Sequence, residues 1–122
     1  MKFTIYAQRV FSFKFAESVE FYKDTIGLPV KFEGMDMGWV EFDLGGASLA
    51  IERQDPESEE SQSYVGRYVG ISIQVKDIDV VYKELLERGV EFLGPPAKQP
   101  WGGLLAHFKD PDENVITLLG SG

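Results

Sequence analysis

Two tryptophans and one histidine are the side chains of this sequence best suited to chemistry or to ligand capture. Trp39 and Trp101 stand 62 positions apart, and Gly27 and Gly89 keep the same spacing. A flat indole offers stacking and cation–π contact, which suits capture of an aromatic or cationic compound; the same rings also serve as core or dimer packing. Gly102 and Gly103 leave room for close approach beside Trp101. His107 is the sole histidine. Imidazole titrates near neutral pH, so His107 fits a general base or a hydrogen-bonding contact to a ligand, and equally a structural strand residue. No Ser or Asp has the spacing of a catalytic partner for it, and no catalytic residue is assigned. The absence of cysteine excludes thiolate nucleophiles, disulfides and cysteine-held zinc or iron–sulfur sites.

The elements that must position these residues read as one unit written twice. Lys2 to Phe13 alternates as a strand, with Phe3, Ile5 and Ala7 on one face. Val19, Phe21, Tyr22 and Ile26 then recur at helical spacing until Gly27 stops the helix. Segments 29–32, 38–43 and 47–52 read as strands, the last two joined by the Leu44-Gly45-Gly46 turn. The acidic stretch 53–66, with Pro56 and no periodicity, reads as a solvated linker. The second copy repeats the order. Segment 68–75 is a strand, and Asp77 caps a helix with Ile78, Val81, Leu85 and Leu86 as its stripe, ended by Gly89. A short strand over 90–93 is broken by Pro95-Pro96, and a hairpin opened by Trp101 closes the unit. The fold class is therefore α+β: two tandem βαβββ modules (1–52 and 67–120, linker 53–66) within a single domain, 1–122. Each sheet curls with its helix on the outer face, and the two concave faces form an open cleft.

Composition bounds the partners. With 20 acidic against 12 basic residues the formal charge is −8, which disfavours phosphate backbones and anionic membrane surfaces. No basic-then-apolar leader and no apolar run of transmembrane length occurs. The expectation is a soluble cytoplasmic protein with no nucleic-acid or membrane partner.

Ser18, Phe21-Tyr22 and Gly27-Leu28 of the first helix, Val75-Lys76-Asp77, Arg88-Gly89-Val90, Trp101-Gly102, and the run Asp110-Pro111-Asp112 with Asn114 together resemble the vicinal oxygen chelate superfamily. That superfamily groups glyoxalase I, extradiol dioxygenases, fosfomycin-resistance enzymes and bleomycin-resistance proteins. The resemblance covers essentially the whole chain, with Ile26 where a leucine is usual and Glu113 where the turn usually has glycine. It implies paired modules, a cleft, commonly a homodimer and, in catalytic members, His, Gln or Glu ligands around a divalent metal. The matching positions here are Ala7, Ala50, Gly70 and Thr117, which cannot supply such a ligand set. A one-residue shift would bring in Gln8, but it would also turn the strand's side chains to the opposite face. Glu52, two residues beyond Ala50, and His107 are the other donors that would complete an unusual site with Gln8.

The resemblance therefore points to a metal-independent small-molecule-binding protein of the glyoxalase/bleomycin-resistance type. It would sequester an aromatic or cationic compound with no cofactor and no metal. The candidate ligand-binding residues are Trp101, Trp39, His107, Gln8 and Glu52. A metal-dependent lyase or dioxygenase of the same superfamily and a non-catalytic interaction module are the alternative readings.

Overall fold

In the computed structural model, which describes residues 1–121, alternating apolar residues in the first unit (Met1–Val65) form four strands. These are β1 (Ala7–Ser12), β2 (Val30–Gly34), β3 (Trp39–Asp43) and β4 (Ser48–Arg53), in the sheet order β1-β4-β3-β2. β1 and β4 run parallel, and the remaining pairs are antiparallel. A parallel pair requires a crossover. Here it is made by the helix α1 (Phe15–Glu20) together with the β2–β3 hairpin. β1 begins later than the alternation from Lys2 suggests. The ladder starts where Ala7 pairs with Ser48, the first residue of β4; residues 2–6 join no strand, and Phe3 and Ile5 are exposed.

α1 does not end at Glu20 but widens into a π-helical turn, Phe21–Ile26, closed at Gly27 with φ 85°. Glycine takes this left-handed conformation without the clash a Cβ would cause. Val19 and Tyr22 are buried, while Phe21 and Ile26 are half-buried. Tyr22 lies 6.3 Å from Phe42 between ring centroids, which fixes the helix on the face carrying Val10, Val40, Phe42, Leu49 and Ile51, all buried. Burying one such side chain contributes ~1.5–3 kcal/mol, so this face holds the unit together.

The second unit, from Gly66 onward, repeats the plan. β5 (Tyr68–Gln74) lies parallel to β9 (Val115–Gly120), which is antiparallel to β8 (Leu104–Lys109). The helix α2 (Ile78–Glu87) starts at Asp77, whose carboxylate accepts from the Val80 amide at 3.3 Å. Ile78 and Leu85 of its expected stripe are buried, whereas Leu86 is exposed. Where the first unit has β2, the break at Gly94-Pro95-Pro96 leaves two short strands, β6 (Glu91–Phe92) and β7 (Ala97–Lys98). Both pair with the same edge of β8. Proline donates no ladder hydrogen bond, so the strand is interrupted there. Both sheets are mixed and open.

The polar segment expected to be an irregular connection contains a 3₁₀ turn, Glu60–Ser63. Its own side chains hold it: Gln62 Nε2 donates to the Pro56 carbonyl at 2.7 Å, and Ser61 Oγ donates to Gln54 Oε1 at 2.8 Å. No helix among the described residues is long and apolar enough to cross a membrane.

Candidate functional site

Each sheet has one face against its helix, so the opposite face is where polar side chains gather. In the first unit strand register places Ala7, Arg9 and Phe11 of β1 beside Ser48, Ala50 and Glu52 of β4, and these beside Asp43, Glu41 and Trp39 of β3. This face is turned away from α1.

Its centre is Glu41, which is 3% exposed. Carboxylate Oε1 accepts from the Tyr6 phenol at 2.5 Å and from the Trp39 indole N–H at 2.8 Å. The Tyr6 hydrogen bond, then that of Trp39, hold the Glu41 pKa below the ordinary carboxylate value; burial opposes them, and Ser48 and the Lys31 charge add to them. The same hydrogen bond pushes the Tyr6 phenol up. Lys31 itself reaches Ser48, with Nζ 3.4 Å from Oγ. A cavity of about 240 Å³ adjoins this group, lined by Ile5, Tyr6, Lys31, Asp43 and Ser48 among others. Glu41, Tyr6, Ser48 and Lys31 escaped the reading of the sequence. The available signal was the alternation of WVEFD, which puts Glu41 on the same face as Trp39.

Glu52 sits on the same face and is engaged by Arg9 at 3.1 Å and by Gln54 Nε2 at 2.8 Å. Gln8 does not join it. Gln8 pairs with Leu49, so it lies on the α1 side of the sheet, and its side chain is exposed there. Strand alternation therefore puts Gln8 and Glu52 on opposite faces of the sheet.

In the second unit the face away from α2 carries His107 of β8 and Thr117 of β9, directly paired across the ladder. Ser72 of β5 is the partner of Thr117 on the other side. His107 Nδ1 lies 2.8 Å from Thr117 Oγ1, and the Tyr68 ring packs edge-on at 5.8 Å from the imidazole. The imidazole also borders a groove of about 220 Å³, with Leu93, Pro95, Ala97 and Leu105 supplying apolar walls.

Trp101 does not open β8 and is not equivalent to Trp39. It sits at the tip of the β7–β8 hairpin, closed by Gln99 N–H to the Gly103 carbonyl at 2.8 Å and Gly102 N–H to the Gln99 carbonyl at 2.9 Å. Trp101 is 63% exposed. The space that Gly103 provides is taken by this ring, because a Cβ at Gly103 would fall 2.0 Å from it.

The four positions matched to metal ligands fit a divalent ion poorly. Ala7 and Ala50 offer methyl groups, and Gly70 lies at φ 80° in the irregular stretch of β5. The Thr117 hydroxyl is committed to His107. Among the described residues no three His, Asp or Glu side chains gather as a ligand set. A hard or borderline cation requires several oxygen or imidazole donors, which these positions do not supply.

The chain is similar to several known proteins. A superfamily member from Sphaerobacter thermophilus DSM 20745 superposes with a TM-score of 0.81 at 30% identity, over 98% of both chains. TnmS3, an antibiotic binding protein from Streptomyces sp. CB03234, superposes with a TM-score of 0.80 at 26% identity, over 99% of this chain and 98% of that one. Metallothiol transferase FosB of Staphylococcus epidermidis is 35% identical over 105 residues, 84% of this chain and 73% of that protein. The model of the Glyoxalase/Bleomycin resistance protein/Dioxygenase superfamily matches residues 7–118, and the chain belongs to that superfamily.

Proposed function

We propose that this protein captures a small aromatic or cationic molecule without transforming it and without a metal. The observation that carries this reading is the side-chain content of Ala7, Ala50, Gly70 and Thr117, which leaves a Lewis-acidic ion without a ligand set. The exposed indole of Trp101, the groove beside His107 and the aromatic-flanked Glu41 supply the contacts that capture needs. The likeness to an antibiotic binding protein is consistent with it. In this reading one domain of two modules, 1–52 and 67–120 joined by 53–66, works as a homodimer in the cytoplasm. The net charge of −8 supports the expectation that neither nucleic acid nor membrane is its partner.

Tryptophan fluorescence titrated with a panel of aromatic and cationic compounds tests it, with Trp39→Phe and Trp101→Phe assigning the response. Saturable change without chemical turnover is the expected result, and a silent panel removes the reading. The likeness to a metallothiol transferase favours a second reading, a metal-dependent group transfer. Metal analysis of the purified protein separates the two. One tightly bound equivalent of nickel, zinc, iron or manganese would establish the second.

A further inference from the structure

Glu41 is a buried carboxylate satisfied only by neutral donors. Its hydrogen bonds come from Tyr6, Trp39 and Ser48. Among the described residues no Lys or Arg nitrogen lies within ion-pair distance of it, and Lys31, whose charge acts on it, is turned onto the Ser48 hydroxyl. A carboxylate withdrawn from water requires strong compensation, and a cation supplies more of it than neutral donors do.

The three donors differ in how firmly they are held. Trp39 and Ser48 sit in β3 and β4, locked into the ladder. Tyr6 belongs to residues 1–6, which pair with no strand, and the residue is 66% exposed. Tyr6 and Ser48 also line the cavity of about 240 Å³. Withdrawing the phenol would therefore join the carboxylate to space that already exists. That volume is below the ~300–1,000 Å³ of pockets for drug-sized ligands, so it suits a compound of one ring and a short chain. Asp43 and Lys31 balance each other in its lining, and the Glu41 carboxylate behind the Tyr6 phenol would add a second negative charge once the phenol withdraws, which favours a cation.

We propose that Glu41 is the anionic anchor for the ammonium group of a single-ring aromatic amine, with Trp39 beside it and Tyr6 as a displaceable cover whose phenol holds the ligand's place. This deepens the capture reading above and rests on it. The ligand ammonium replaces the Tyr6 hydroxyl as donor to Oε1, forming a charge-assisted hydrogen bond, and its ring takes the room left by the tyrosine. No bond is made or broken.

The test uses three probes of similar shape and different charge: 2-phenylethylamine, 2-phenylethanol and 3-phenylpropanoate. They are titrated into the parent protein, Glu41→Gln and Tyr6→Ala, each in a Trp101→Phe background so that fluorescence reports Trp39. The amine should bind at least roughly tenfold more tightly than the alcohol, with the anion weakest. Glu41→Gln keeps an acceptor for Tyr6 and Trp39 and should abolish the amine's advantage. Tyr6→Ala removes the competing phenol and should bind the amine several-fold more tightly, a readout that stands even if the Glu41 variant fails to fold. An unchanged preference in folded Glu41→Gln, or weaker amine binding in Tyr6→Ala, overturns the proposal. If these probes fail while the wider panel binds, only this assignment falls; if both fail, the capture reading falls with it.

Discussion

His107 and Thr117 face each other across the β8–β9 ladder, with Nδ1 2.8 Å from Oγ1. The hydroxyl at the position that the family resemblance matches to a metal ligand thus fixes an imidazole. With Nδ1 occupied, Nε2 is the ring nitrogen left for a ligand. Thr117→Val keeps the shape and removes the hydrogen bond. It is expected to lower stability by ~1 kcal/mol and to shift the imidazole nitrogen resonances of His107 in NMR spectra. Unchanged resonances would show that the hydroxyl does not set the ring state.

Trp101 and Gly103 form a second dependent pair. A Cβ at Gly103 would lie 2.0 Å from the indole, so Gly103→Ala must push the ring off the hairpin. A shift in the tryptophan emission maximum and weaker capture are expected, with the fold kept. Trp101→Ala should weaken capture to a similar degree while far-UV circular dichroism stays unchanged. Unfolding of Trp101→Ala would instead assign this exposed ring a packing role.

The Tyr6–Glu41 hydrogen bond makes stability depend on pH at both ends. Glu41 has a depressed folded-state pKa, so its contribution is present above the ordinary carboxylate value and is lost as pH falls through the folded-state value. Tyr6 has a raised one, so its contribution is present below the ordinary phenol value and disappears as pH rises through the folded-state value. Tyr6→Phe should flatten both limbs of a plot of Tm against pH, and Glu41→Gln the acid limb. Parallel curves for variant and parent would exclude this coupling.

Glu113 is the one non-glycine residue at positive φ among those described, at 66°. Relief of that strain by Glu113→Gly is worth ~1–2 kcal/mol, against ~0.5–1 kcal/mol for the greater freedom of glycine in the unfolded chain. The exposed ion pair lost to Lys109, at 3.8 Å, contributes little. A net gain of about 0.5–1 kcal/mol is expected in denaturant unfolding. The turn should persist, because Asp110 Oδ1 accepts from the Asp112 and Asn114 amides at 2.9 Å each. Asn114 Oδ1 in turn accepts from the Gly66 amide at 2.8 Å.

The sequence alone determined the repeated strand and helix order, the Asp77 cap, the stop at Gly27 and the family resemblance. These follow from local chemistry: period-two and helical spacing, a carboxylate before a first turn, and a glycine free of Cβ. It also established that Ala7, Ala50 and Gly70 carry no ligand atom, which is a matter of composition. Tertiary structure decided the rest. Whether Gln8 shares a face with Glu52 depends on which backbone β1 pairs with, and Ser48 opposite Ala7 sets that register. Trp39 and Trp101 keep a sequence spacing but not a structural role, because Pro95-Pro96 divides a strand and sends Trp101 to a hairpin tip. Glu41 shows the limit most clearly. Alternation places it beside Trp39, but only the fold brings Tyr6 from 35 residues away to complete its hydrogen bonds. Long-range contacts of this kind leave no mark on local sequence spacing.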